Sequence, residues 1–341
     1  MQRTDPFRHF ALDDIALGDM MDSRWSPVAV MGAGALGCYF GAVLARAGVA
    51  VTLIGRPAHV AAIRRDGLRF ESRGSEERIA IGAREDAAGV AGARLVLFCV
   101  KSSDTDAAAA AMAPHLAPDA VVLSLQNGVN NVERIRAQMK NKQLNNEVFP
   151  ALVYAAAQMT GPGAVRHTGG GSLIVGRLNE FARPDGADAR LLADIAAFLV
   201  AAGIPVTISD HVEGELWTKL VMNCAYNAIS ALTNSPYGKM VEVPEIREVM
   251  REAVHEVVAV AAAKSIALPA TIVEAAIKLA DGMPTTISST AQDMRLGKRT
   301  EIDHLNGYVV RQGEALGIAT PVNRTLDALV KLMERGKAGA S

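Results

Sequence analysis

The stretch PVAVMGAGALGCYFGAVLARAGVAVTLIGR, from Pro27 to Arg56, decides the fold. Val28–Met31 is a short apolar run that predicts a strand. Gly32, Gly34 and Gly37 follow in GxGxxG spacing. The Ala-rich segment from Ala35 to Ala47 predicts a helix ended by Gly48, and Val51–Ile54 predicts a second strand. Strand, glycine turn, helix and strand together form the setting in which this spacing binds a dinucleotide; glycines without it mark only a turn. Gly32 permits the tight turn, Gly34 lets the backbone approach a pyrophosphate, and Gly37 lets helix and strand pack closely. Ala33, Ala35 and Leu36 complete the candidate cradle, because the free N–H groups of a helix start attract phosphate.

The end of the second strand bears on the cofactor. An NAD site usually carries Asp or Glu there. This chain has Ile54, Gly55 and Arg56, and no acid before Asp66. A guanidinium suits the 2'-phosphate of NADP, so Arg56 points to NADP; the bland alternative is a surface arginine.

Outward from this unit the alternation continues. Helices are expected over 58–66, 104–113 and 131–138, and strands over 94–100 and 121–125. Repeated strand–helix units predict a parallel sheet covered on both faces, with ligands beyond the carboxyl ends of its strands. Lys101 and Asn127 fall at such ends, although a solvated lysine and an Asn-Gly turn would look the same. The region 148–175 reads as strands joined by glycine turns, and 188–202 as a helix before a last strand over 206–209. The expected domains are therefore an N-terminal extension over 1–26, an α/β nucleotide-binding domain over 27–210 and a mostly helical domain over 211–337.

The helical half opens with GELWTKLVMNCAYNAISAL on a helix expected over 212–232. Lys219, Asn223 and Asn227 recur every four residues, which stacks them on one side. Polar groups in an apolar helix are costly unless something polar meets them; that partner is either another helix or a substrate. Further helices are expected over 242–265, 271–279, 304–315 and 325–333. Arg295, Lys298 and Arg299 read as a solvated basic face.

Composition excludes several classes. A chain of 341 residues is long enough for two domains. A formal net charge of -1 with no basic stripe argues against nucleic acid. No apolar run is long enough for a bilayer, and residues 1–26 lack the apolar core of a signal peptide. Cys38, Cys99 and Cys224 have no metal-site spacing and suit a reducing compartment, so a cytoplasmic protein without a metal is expected.

Five blocks, GAGALGCYFG (32–41), VK (100–101), LQNG (125–128), ELWTKLVMNCAYNAISAL (215–232) and SSTAQDMRLGKRTEIDHLNG (288–307), resemble the ketopantoate reductase family, also called 2-dehydropantoate 2-reductase. The resemblance covers roughly residues 27–335. It implies an α/β N-terminal Rossmann domain followed by a mostly helical C-terminal domain, with the site between them. It implies NADPH-dependent reduction of the 2-keto group of ketopantoate to pantoate, on the way to pantothenate and coenzyme A. By the same resemblance Lys219 is the catalytic lysine, and Asn223, Asn227, Ser289 and Asn127 bind substrate. Glu301 meets the substrate hydroxyl and serves the catalytic and cofactor sites, while Arg56, Lys101 and Asn127 serve the cofactor side. The implied partner is a small 2-keto acid, with a homodimer as one option for assembly. One stretch departs from the family's pattern: PALVYAAAQMTGPGAVRHTGGG, with His167 before a glycine turn, is bulkier than the small glycine-containing strand expected there. That leaves the keto acid open. The competing readings are a same-fold reductase of another branched 2-keto acid, a dehydrogenase of a 3-hydroxy acid, and an NADP-binding sensor without turnover.

Overall fold

Val28–Met31 forms β1, buried along its whole length, and leads through the glycine turn into α1 (Ala35–Arg46), β2 (Val51–Ile54) and α2 (Pro57–Asp66). The computed structural model describes residues 24–181 and 186–338, so most of the expected N-terminal extension, residues 1–23, lies outside the described residues. The β3 (Leu68–Ser72) and β4 (Ser75–Ile79) hairpin comes next, then β5 (Gly82–Arg84), which pairs with β2. It is followed by β6 (Leu95–Phe98), α3 (Thr105–Met112), β7 (Val121–Ser124) and α4 (Asn131–Lys140). The long strands β8 (Val148–Gly161) and β9 (Ala164–Gly176), then α5 (Ala187–Ala201) and β10 (Val206–Ser209), complete this half.

The strand order is β4-β3-β9-β8-β7-β6-β1-β2-β5, with β10 beside β9. β1 lies between β2 and β6 and is parallel to both; β6, β7 and β8 continue in parallel. The segments after β1, β2, β6 and β7 therefore leave the sheet at one edge. This places the glycine turn, Arg56, Lys101 and Asn127 on the same side of the molecule. β6 and β7 are buried at every position, as strands covered on both faces must be.

The sheet is mixed rather than wholly parallel: β3 pairs antiparallel with β4, and β8 with β9. The β3–β4 hairpin escapes sequence reading because four of the five β4 residues are exposed, so no apolar periodicity marks it. The glycines 169–171, expected as a turn, lie inside β9. There Gly171 meets Tyr39 of α1, whose hydroxyl would stand 2.2 Å from an added Cβ. His167 stacks on the same Tyr39 ring at 4.3 Å. Order also begins before Ser26: Trp25 is buried, and Arg24 bonds Asp194 of α5 at 3.0 Å.

The second half is helical. It comprises α6 (Val212–Thr233), α7 (Tyr237–Glu242), α8 (Pro244–Ala263), α9 (Ile272–Gly282), α10 (Ser289–Arg295), α11 (Asn306–Leu316) and α12 (Pro321–Ala338). The helix expected over 242–265 begins instead at Pro244. Val243 is extended (φ -92°, ψ 112°), because a residue before proline avoids the helical region. α6 is the central element, buried from Val212 to Ala231 over most of its faces. Asn323 locks α12 to the bundle: its amide donates to Ala253 O at 3.0 Å and accepts from Asn306 at 2.9 Å. Glu256 caps the start of α12, accepting from Val322 N and Asn323 N at 2.7 and 2.9 Å. One apolar core joins the two halves, running from Val96, Phe98 and Val122 to Trp217, Val221 and Val309. A second core, with Phe40, Leu53 and Leu97, fills the other face of the sheet. Among the described residues no helix is long and apolar enough to cross a membrane.

Candidate active site between the two halves

The glycine turn is folded by its own backbone. Gly32 N and Ala33 N both donate to Ile54 O, at 3.0 and 2.8 Å. Gly32 has φ +111°, and a Cβ on it would stand 2.7 Å from Val100 N. A Cβ on Gly37 would stand 2.1 Å from Gly32 O, so α1 packs on the turn only through glycine. Gly34 differs: nothing lies within 4 Å of its added Cβ. The first bond of α1 runs from Cys38 N to Gly34 O at 2.8 Å, which leaves the amides of Ala35, Leu36 and Gly37 without helical acceptors. An open backbone surface beside unpaired amides fits a dinucleotide pyrophosphate. Arg56 is exposed at the start of α2 and has no ion pair among the described residues, so its guanidinium is available to a phosphate.

Across from this cradle stand the groups between α10 and α11. Lys101 Nζ pairs with the carboxylate of Asp293 and donates to Arg299 O at 2.9 Å. Burial raises the Asp293 carboxyl above its ordinary range despite the ammonium beside it. Glu301 reaches the same edge of the sheet. Its Oε1 accepts from Ser102 N at 2.8 Å and its Oε2 from Asn127 Nδ2 at 3.2 Å. Ser102 and Asn131 brace this corner, both donating to Asn127 O, at 2.6 and 2.7 Å. The loop carrying Glu301 is clamped from behind by α12. Glu334 accepts from Thr300 N at 2.7 Å, and Lys331 pairs with Asp303 at 2.6 Å.

Lys219 enters from α6. It is half-buried and donates to Val153 O of β8 at 2.9 Å, with the Tyr154 ring centroid 5.7 Å from Nζ. Burial lowers its ammonium to about 8, partly opposed by the attraction of Glu301. One turn on, Asn223 is half-buried; one more turn on, Asn227 is 3% exposed. Asn227 Nδ2 donates to Asn223 Oδ1, and Tyr237 donates to Asn227 Oδ1, both at 3.4 Å. The polar face of α6 thus has a structural partner at its far end and an open one near Lys219. Ser289 is the exposed first residue of α10. Its buried neighbour Ser288 caps that helix, accepting from Ala291 N at 3.0 Å and donating to Asn227 O at 3.2 Å.

The structure brings Asn127 and Glu301 into hydrogen-bond contact and sets Lys101 next to Ser102, which also bonds Glu301; Lys219 feels the Glu301 charge but bonds Val153 O instead. The glycine turn and Arg56 lie along the same sheet edge. Sequence reading missed Ser102, Ser288 and Tyr237, and it had no partner for Lys101. Ser288 carried a signal, since a serine three residues before Ala291 at the start of a helical run is a cap. The Lys101–Asp293 pair carried none across 192 positions. The supposed solvated face also does more. Arg295 donates to Asn234 Oδ1 at 2.6 Å, and Arg299 pairs with Asp303 at 3.3 Å.

Comparison with known proteins gives consistent matches. Residues 28–180 match the family described as ketopantoate reductase PanE/ApbA, and residues 211–334 match its C-terminal part. A 2-dehydropantoate 2-reductase from Halobacterium salinarum is 36% identical over 310 residues, spanning 90% of this chain and 99% of the relative. A crystal structure of a PanE/ApbA family ketopantoate reductase from Ralstonia eutropha JMP134 superposes with a TM-score of 0.83 at 50% identity, covering 91% of this chain and 99% of that one. D-mandelate dehydrogenase, solved with NADH and anilino(oxo)acetate, shares the fold with a TM-score of 0.83 at 24% identity over 91% of this chain and 99% of its own.

Proposed function

The chain belongs to the ketopantoate reductase family, and we propose that it reduces 2-dehydropantoate to pantoate with NADPH. The observation that carries this reading is the Lys219 ammonium, held by Val153 O and under the attraction of the Glu301 carboxylate, which itself bonds the sheet edge that also carries the open glycine turn. Gly34 and the amides of Ala35 and Leu36 would hold the pyrophosphate, and Arg56 the 2'-phosphate. When bound, the dihydronicotinamide supplies the hydride that adds to a keto carbon.

The chain's own groups do the rest. The keto oxygen gains negative charge during reduction. Lys219 stabilises it and delivers the proton that completes the alcohol. An ammonium near 8 is still largely protonated at neutral pH yet gives up its proton more readily than a solvated lysine. Asn223 offers its amide N–H to the substrate while Asn227 fixes its orientation. Ser289 donates to the substrate carboxylate. Each Glu301 oxygen already accepts one bond and has a further lone pair, so it can also accept a substrate hydroxyl. Lys101 and Asn127 tie this machinery to the cofactor domain.

The direct test is NADPH oxidation across a panel of 2-keto acids, with pantoate identified as product. Highest kcat/KM on 2-dehydropantoate supports the proposal; a clear preference for another keto acid overturns the substrate. The cofactor is tested separately. Arg56→Ala is expected to weaken NADPH binding about ten- to hundredfold and NADH binding little, since a charged hydrogen bond is worth about 1.5–3 kcal/mol. Equal losses for both cofactors, measured by calorimetry, would remove Arg56 from 2'-phosphate recognition.

Glu301→Gln keeps the shape but places an N–H donor where an acceptor stood. It is expected to cut kcat/KM for a hydroxyl-bearing substrate about tenfold or more, by the loss of a hydrogen bond to a charged group. Pyruvate, which has no hydroxyl, should change far less. Equal loss on both substrates would give Glu301 a general role rather than one in hydroxyl recognition.

A further inference from the structure

β8 changes character at Tyr154. Residues 148–153 are buried in succession, and from Tyr154 onward the strand alternates between exposed and half-buried positions. The register with β9 slips between Tyr154 and Ala155, opposite Gly170, which has φ +70°. A Cβ on Gly170 would stand 2.2 Å from Tyr154 O, so the irregularity depends on that glycine. Irregularities of this kind re-aim side chains beside active sites. Here the backbone just before it holds the lysine, through Val153 O, and the Tyr154 ring is centred 5.7 Å from the same nitrogen. Tyr154 is nevertheless 48% exposed, and its hydroxyl has no hydrogen-bond partner among the described residues. A large apolar surface is thus left open to water beside a positioned ammonium. Covering it with an apolar group is favourable.

We propose that Tyr154 selects the substrate by its side chain: its ring is the wall against which a branched apolar group at C3 of a 2-keto acid packs. The inference rests on the reductase reading above and assigns to one residue the preference for acids with a branched C3 over unbranched ones. In a 2-keto acid the keto carbon carries both the oxygen and the side chain. With that oxygen about 3 Å from Lys219 Nζ, the C3 branches come within van der Waals reach of the ring. The single methyl of pyruvate covers little of it. The competing role is cation–π support of Lys219, for which 5.7 Å is also close enough. That role would serve every substrate alike.

The test compares kcat/KM for 2-dehydropantoate, 2-ketoisovalerate and pyruvate in the parental protein, Tyr154→Ala and Tyr154→Phe, with NADPH saturating. Apolar contacts in a pocket are worth about 10–200-fold in discrimination, so Tyr154→Ala should lose about ten- to hundredfold on the two branched acids. Pyruvate should change by less than about threefold on the same argument. Tyr154→Phe should keep the parental ranking, because the hydroxyl has no partner. A uniform loss on all three acids overturns the selector and leaves lysine support. A second readout does not need turnover: calorimetry of 2-hydroxyisovalerate and lactate binding to the protein with NADP+. If the parental protein reduces no 2-keto acid, the reductase reading falls. The wall is then decided by calorimetry, where a preference for the branched ligand that disappears in Tyr154→Ala supports it. A preference that survives in Tyr154→Ala, or is absent from the parental protein, overturns it.

Discussion

Lys219→Ala is expected to lower the turnover of 2-keto acid reduction by about 10²–10⁴-fold, the usual contribution of a positioned acid. The ammonium is held by one backbone carbonyl, Val153 O, and attracted by Glu301, while burial works against its charge. A cation so placed gains most when negative charge develops beside it, which happens in the transition state more than in the ground state. The alanine variant should therefore lose kcat more than it raises KM. NADPH affinity measured by calorimetry should stay near parental, because the glycine turn is built by β1, β2 and α1 and takes nothing from Lys219. The pH profile supplies an independent check. The working form is the protonated one, and burial places its loss at about 8, so the rate of reduction should fall as pH rises through that value. A group left at the ordinary lysine value would hold its rate to well above pH 9, roughly a unit below the reference of about 10.4. A folded Lys219→Ala sample that keeps near-parental turnover, or a reduction rate flat from pH 7 to 10, would take Lys219 out of the chemistry.

The parts of this molecule visible in the sequence are those whose causes are local. The glycine turn follows from residues 27–56 because the spacing, the helix after it and both flanking strands lie in one short stretch: Gly37 answers the nearby Gly32 O, Gly32 answers Val100 N beyond a neighbouring strand, and Gly34 is left open. The face shared by Lys219, Asn223 and Asn227 follows from helical spacing alone, and the Asn223–Asn227 bond realises it. The β3–β4 hairpin did not show, since an exposed ribbon rich in Glu and Arg has no apolar period to read. β9 was misread because three successive glycines usually break a strand. Here Gly171 answers the close approach of Tyr39 and Gly170 the register slip beside Tyr154, while nothing lies within 4 Å of a Cβ on Gly169. The site's cross-cleft pairs were hidden for another reason. Glu301 with Ser102 and Lys101 with Asp293 are contacts made by folding over nearly 200 positions, and nothing near either residue announces its partner. The same holds for α12, whose Glu334 and Lys331 hold the Glu301 loop from the far end of the chain.

The glycines of the turn offer the second large effect, because two of them should fail in opposite ways. Gly37→Ala places a methyl 2.1 Å from Gly32 O, a backbone atom fixed by the bonds that Gly32 N and Ala33 N make to Ile54 O. Neither side can yield as a flexible side chain would, so α1 must move off the turn. The variant should lose stability by about 1–3 kcal/mol, the range for overpacking a tight site, and with it the geometry of the cradle. Gly34→Ala is the contrasting case. Its backbone is extended (φ -83°, ψ -169°), a conformation open to any residue, and nothing lies within 4 Å of the new methyl. The fold should be untouched and the melting temperature unchanged. Yet the methyl occupies the surface that a pyrophosphate must approach to reach the amides of Ala35 and Leu36. Losing one or two charged hydrogen bonds of about 1.5–3 kcal/mol each corresponds to a weakening of NADPH binding of about tenfold to ten-thousandfold. Thermal unfolding without ligand, paired with NADPH titration by calorimetry, separates the two outcomes. If Gly34→Ala bound NADPH with parental affinity while Gly37→Ala melted normally, the dinucleotide would have to lie elsewhere than on this turn.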